Sequence, residues 1–246
     1  MVFRKILRIV NNFFSVPKDY PSSQVVTEED LRSITDLIRS YRYKLNIISY
    51  FKTQQSPDKH AEGPTVLYHI AYMLKIYELI LNDQSWLTKR TPVDIQIQEL
   101  INIYKDKTNE QIIKDFIIFH DIGKKKTMGY KNNSVINYGH TEESLRILNS
   151  ISIQQDSLLY KSVKYHMTIY NGFFNRSNVR LIRKFIEQER MDLSEIKVMF
   201  ALCILDYIGT LRNETEEDKL RMWRNMYRAI DGYFEHLEEQ GKKKKY

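Results

Sequence analysis

Phe116-Ile117-Ile118-Phe119-His120-Asp121-Ile122-Gly123-Lys124 is the stretch on which the reading of this 246-residue chain turns. An apolar run delivers a histidine and a carboxylate side by side, then stops at a glycine followed by three lysines, Lys124 to Lys126. Imidazole nitrogen suits transition metals, and carboxylate oxygen accepts Mg, Mn or Fe as well. Successive residues of a helix point about 100° apart, so both groups can face one cavity where the helix ends. A lysine one turn further on can meet an anionic substrate. His-Asp pairs also arise by chance on surfaces, so the rest of the chain must decide.

Working outward, Asn109 is placed to cap the helix carrying Ile112, Ile113 and Phe116. Thr127 to Gly139 reads as a polar loop, and His140 or Thr141 opens a helix with Ser144, Leu145 and Leu148. Asp156 reads as the cap of the next helix, with Leu159, Val163, His166 and Tyr170 aligned and Asn171-Gly172 ending it. A basic helix spans Ser177 to Glu189 and carries Arg180, Arg183 and Lys184, with Arg176 just ahead of it. Ser194 reads as the cap of an almost wholly apolar helix, Glu195 to Leu211, and Thr215 as the cap of the last. Upstream, Thr27-Glu28-Glu29-Asp30 is a capping pattern ahead of Leu31, Ile34, Leu37 and Ile38. Gly63-Pro64 precedes a helix with Val66, His69, Met73, Ile76 and Ile80 on one stripe, and Thr91-Pro92-Val93-Asp94 opens a shorter one. With eight glycines, five prolines and no evident strand pair, the expected fold class is all-α.

Composition sets the outer bounds. Hydrophobic residues at 42% and charged residues at 28% can bury one sizeable core. We expect a basic segment over residues 1–26, a helical domain over 27–240 and a lysine-rich tail over 241–246. No apolar run approaches the roughly 20 residues of a membrane-spanning helix, and the start lacks a signal-peptide pattern. The single cysteine, Cys203, excludes an internal disulfide and lies in an apolar stretch, which fits the core of a cytoplasmic protein. A net charge of +7 is compatible with a nucleotide or RNA partner.

Three apolar stripes each carry one ionisable residue. His69 lies between Val66 and Met73, His166 between Val163 and Tyr170, and Asp206 between Leu202 and Gly209. Burying a carboxylate beside Leu202 and Leu205 without a partner costs several kcal/mol. A core histidine satisfied by hydrogen bonds, or an Asp206–arginine pair, would explain each residue singly. Two histidines and two aspartates, His69, His120, Asp121 and Asp206, explain them together as a metal cage.

In that order on a helical chain, these four residues resemble the HD-domain metal-dependent phosphohydrolases. His120-Asp121-Ile122-Gly123-Lys124 resembles the family's HDIGK form. Gly139-His140-Thr141-Glu142-Glu143-Ser144 is similar to the GHE-x-x-SA segment of the branch attached to bacterial CCA-adding enzymes. His60-Ala61-Glu62-Gly63 is similar to that branch's HPEG segment, with alanine for proline, and His166 falls where many members carry a further histidine ligand. The resemblance covers about residues 60–210, with no nucleotidyltransferase domain ahead of it. Asn171-Gly172-Phe173-Phe174 stands where HD-GYP diguanylate phosphodiesterases carry Gly-Tyr-Pro, and Tyr165-His166 where paired histidines are frequent.

The resemblance implies an HD-like helical bundle with extra terminal helices and a hydrolase of phosphoesters, monoester or 2′,3′-cyclic, on a nucleotide or RNA end. The implied cofactor is a divalent ion (Mn, Ni, Co, Fe or Mg), one held tightly and a second weakly or not at all. His69, His120, Asp121 and Asp206 would hold the first, and His140 and His166 would complete a second or bind phosphate. Lys124 is expected to hold phosphate, and Arg180 and Arg183 a nucleic-acid backbone. Two alternatives stand beside this reading: a nucleotidase acting on free nucleoside phosphates, and a metal-binding module without turnover that binds nucleotide or a partner protein. Lys125, Lys126 and His236 are expected at the surface, and His60 in a loop at the entrance.

Overall fold

The computed structural model describes residues 26–40, 52–55, 60, 62–82, 94–131, 134–174, 179–210 and 216–243. These are predominantly helical, and the fold is all-α. The basic segment before residue 26, Arg176, the Thr215 cap and the tail beyond residue 243 lie outside the described residues.

Helix α1 (Glu28–Ser40) starts on the expected box: Thr27 Oγ1 accepts from the Asp30 amide, and Asp30 accepts from the Thr27 amide at 2.6 Å. Leu31, Ile34 and Ile38 bury one stripe against α2 (Val66–Asn82). Asp94 caps α3 (Ile95–Lys105) by accepting from the Ile97 amide at 2.9 Å. Helices α4 (Glu110–Phe119), α5 (Lys124–Thr127), α6 (His140–Ser150), α7 (Leu158–Phe174), α8 (Val179–Glu189), α9 (Leu193–Ile208) and α10 (Glu216–Lys243) follow. Helix α9 is apolar on nearly every side, a pattern stable only when surrounded. It packs on α2, α3, α4, α7 and α10, and one continuous core runs from Leu31 to Tyr233 through Cys203.

Several local expectations are corrected. Residues 127–139 contain an antiparallel pair, β1 (Gly129–Lys131) and β2 (Ser134–Ile136), with Tyr130 opposite Val135. Three-residue strands separated by Asn132-Asn133 are too short and polar to show a period of two. Ser157, not Asp156, caps α7, its hydroxyl accepting from the Tyr160 amide at 3.3 Å. That helix continues through Asn171-Gly172 to Phe174. Asp192, not Ser194, caps α9, because Asp192 and Glu195 each accept the other's backbone N–H and so satisfy two orphan donors. The same helix ends at Ile208 rather than Leu211. Asn109 makes no side-chain cap and donates instead to the Ile103 carbonyl at 3.0 Å.

Candidate metal centre

The run Phe116–Phe119 is buried, and the last bond of α4 passes from the His120 amide to the Phe116 carbonyl at 3.0 Å. The chain then turns through Asp121 into α5, as the Lys124 amide bonds the Asp121 carbonyl at 3.0 Å. Gly123 lies at the tightest point of this corner. A Cβ there would stand 2.1 Å from the His140 carbonyl oxygen and 2.5 Å from the Ser144 nitrogen, so backbone meets backbone and only glycine fits. Ser144 Oγ fastens the contact by accepting from the Gly123 amide at 2.9 Å and donating to the His120 carbonyl at 3.0 Å. The pair His120-Asp121 is thereby seated against the first turn of α6, which begins with His140.

Four buried histidines share one arrangement. Nδ1 of His120 faces the Phe116 carbonyl at 3.0 Å, and Nδ1 of His140 faces that of Asn137 at 2.9 Å. Nδ1 of His166 faces the Val163 carbonyl at 2.6 Å, and Nδ1 of His69 that of Gly209 at 3.2 Å. A carbonyl only accepts, so each Nδ1 carries a hydrogen and each neutral ring keeps its lone pair on Nε2. Those four Nε2 atoms surround two carboxylates. His69 Nε2 is 3.0 Å from Asp206 Oδ1 and 4.0 Å from Asp121 Oδ2. His120 Nε2 is 3.3 Å from Asp121 Oδ2 and 3.6 Å from Asp206 Oδ1. On the far side, His140 Nε2 is 3.4 Å from Asp121 Oδ1 and 3.3 Å from His166 Nε2. Asp121 therefore presents Oδ2 to one group of ligand atoms and Oδ1 to the other.

The donor set fits a divalent ion. Ligand atoms bonded at about 2.0–2.2 Å stand some 3–4 Å from one another, the spacing found here. His120 Nε2 is fully buried and makes no hydrogen bond with the chain, so no protein group competes with an ion for it. The electrostatics agree. Burial opposes charge on Asp121 and Asp206, yet Lys124 and His120 beside the first, and His120 and His69 beside the second, hold both carboxyls well below their ordinary range. Burial likewise disfavours a charged His120, but the two carboxylates raise it to about 10, and His69 is raised by Asp206 and Glu62. Across Asp121, burial and neighbouring histidines lower His166 to about 4, and burial lowers His140. With the histidines neutral, as they must be to bind an ion, Glu62, Asp121 and Asp206 against Lys124 leave two net negative charges, which one divalent ion cancels.

Every expected ligand, His69, His120, Asp121, Asp206, His140 and His166, thus lies in one cluster. Lys124 joins it: it is buried, with Nζ 2.5 Å from Asp121 Oδ2 and 3.3 Å from Gln55 Oε1. Lys125 and Lys126 are exposed, as expected. Arg183 lies over the Tyr233 ring at 5.1 Å, and no described contact joins it to the cluster; the Arg180 side chain lies outside the described residues. His60 is half-buried in contact with Glu62, which the sequence offered only as part of the His60–Gly63 segment and without a role, and Gln55 was not singled out. The signal for Glu62 was its place in the His60-Ala61-Glu62-Gly63 segment. No protein-family model, curated protein or solved structure matches the chain. Among the described residues, no helix is long and apolar enough to cross a membrane.

Proposed function

We propose that the chain is an HD-type metal-dependent phosphohydrolase acting on a phosphoester of a nucleotide or RNA end. One observation carries the reading: four Nδ1-anchored histidines turn their Nε2 atoms onto two carboxylates beside a buried lysine, and one Nε2 makes no hydrogen bond with the chain. His69, His120, Asp121 and Asp206 would hold the ion. Bound there, a divalent ion supplies an activated water and Lewis-acid stabilisation of phosphoryl charge.

The chain's own groups do the rest. Lys124 supplies a fixed positive charge at the edge of the ligand set, placed to meet a phosphoryl oxygen as negative charge builds. With their Nδ1 hydrogens directed to carbonyls, His140 and His166 offer Nε2 lone pairs to a second ion, or donate to the phosphate once protonated at Nε2; burial lowers both, His166 to about 4. The preference for a nucleotide is supported at the rim. Tyr130 on β1 donates to Gln54 Oε1 at 3.2 Å, next to the Gln55 that holds Lys124, and the residue is 63% exposed. Such a ring can stack a base beside the phosphate site.

Purified protein stripped with chelator, then supplied with Mn, Ni, Co or Mg, is expected to hydrolyse at least one of bis(p-nitrophenyl) phosphate, nucleoside 2′,3′-cyclic phosphates, nucleoside monophosphates and 2′-phosphorylated RNA ends. Metal binding without turnover on any of these would replace the enzyme with a metal-binding module.

A further inference from the structure

Glu62 belongs to the centre yet has no place in the ligand set. It is 2% exposed, it sits in the loop before α2, and its Oε1 lies 3.1 Å from His69 Nδ1 and 2.8 Å from His60 Nδ1. His60 Nδ1 hydrogen-bonds that buried oxygen, and His69 Nδ1, bonded to the Gly209 carbonyl, stands within ion-pair distance of it, an arrangement that compensates the cost of taking a carboxylate out of water. The His69 ring stands between Glu62 and Asp206, with Nδ1 toward the first and Nε2 toward the second at 3.0 Å.

Resting on the metal-site reading above, we propose that Glu62 is a positioning residue for that site. Its carboxylate, braced by His60, fixes the ring of His69 and strengthens Nε2 as a donor. The Gly209 carbonyl shares the same Nδ1 at 3.2 Å and supplies orientation. It carries no formal charge, so the negative charge behind the ring comes from Glu62. Charge placed there compensates the positive charge an imidazole gains when its other nitrogen binds a cation. Glu62 is not itself a ligand of the same ion, because it lies on the opposite edge of the ring from Nε2. His60, Glu62 and His69 also do not form a separate ion site, since the hydrogen on His69 Nδ1 is already directed to the Gly209 carbonyl.

The test uses the full chain and Co(II) alone as probe, with affinity from chelator competition, release rate from stopped flow and ligand field from visible absorption. Glu62→Gln keeps the shape and removes the charge. It is expected to weaken Co(II) binding about 10–100-fold, the range typical of outer partners of metal-bound histidine, and to speed release. Glu62→Asp retains the charge and should recover part of the loss, which a merely space-filling role would not do. His60→Gln should give a smaller loss in the same direction. A Glu62→Gln protein that binds Co(II) as tightly as the parent, with the same spectrum, overturns the proposal. Should Glu62→Gln fail to fold, Glu62→Asp decides: affinity within a few-fold of the parent supports the proposal, and a loss as large as that of His69→Ala overturns it. Parent protein that binds no Co(II) removes the metal-site reading and this proposal with it. Parent protein that binds Co(II) but hydrolyses nothing removes the enzymatic reading and leaves the role of Glu62 standing.

Discussion

The two sides of Asp121 are built from the same parts and are not equivalent. On the Oδ2 side, His69 and His120 face a second carboxylate, Asp206, with Glu62 behind His69 and Lys124 at the edge. On the Oδ1 side, His140 and His166 face each other at 3.3 Å with no further carboxylate among the described contacts. One side is a charged cage and the other a pair of neutral donors. Charge, more than the number of nitrogens, separates a site that holds a divalent ion by itself from one that needs an anion brought by substrate.

The largest effect is expected where the two sides meet. Asp121→Ala removes an oxygen from both and leaves Lys124 without its carboxylate, so bound metal and turnover should both vanish while far-UV circular dichroism stays helical. Retention of full metal and full turnover would show that Asp121 is not the shared ligand. Next come variants confined to one side. Asp206→Asn should empty the Oδ2 side, weakening the ion by more than the 10–100-fold typical of outer partners, as elemental analysis after gel filtration would show. His166→Ala or His140→Ala should leave one ion per chain in place and slow turnover by about 100-fold or more, as for groups that touch phosphate or move protons. A fall from two ions per chain to one in those variants would instead show that both sides hold metal tightly.

Much of this asymmetry was legible in the sequence, and its unread parts have physical causes. His69, His166 and Asp206 stood out because each interrupts an apolar stripe at helical spacing, and a helix face is the strongest periodic signal a chain carries. Lys124, Lys125 and Lys126 look alike as a run, and only the turn fixed by Gly123 against α6 decides that the first is buried and the others exposed. Glu62 and Gln55 sit in loop segments, where no period distinguishes a buried side chain from an exposed one. Caps were misplaced by one or two residues at Ser157 and Asp192 because adjacent Asp and Ser compete for one role, and backbone geometry chooses between them. The β1–β2 hairpin was missed for want of length.

Protons provide a gentler probe of the same comparison. His120, raised to about 10, holds its second proton near neutrality when no ion is bound, His69 is raised as well, and an ion entering the Oδ2 side must displace such protons. Affinity there should rise as pH rises from 6 to 8, by about tenfold per unit for each proton released. His166, lowered to about 4, is already unprotonated over that range, and burial lowers His140 as well, so any binding on the Oδ1 side should depend less on pH. Calorimetry in buffers of different ionisation enthalpy counts the protons. Equal release for both sides would erase the distinction.

The smallest effect is expected at the bond that ties the two sides together. Ser144, on the helix that starts with His140, accepts from the Gly123 amide and donates to the His120 carbonyl. Ser144→Ala leaves a buried N–H without its partner, which costs about 1–3 kcal/mol, and removes no ligand and no charge. The melting temperature should therefore fall by roughly 2–4 °C per kcal/mol for a chain of this size, with one tight ion retained. Turnover should suffer more than affinity, because Ser144 sets where His140 stands relative to Asp121 and leaves the Oδ2 cage intact. If Ser144→Ala weakened the tight ion and left turnover alone, the α6 contact would be holding the Oδ2 side in shape, and the two sides would have to be treated as one unit.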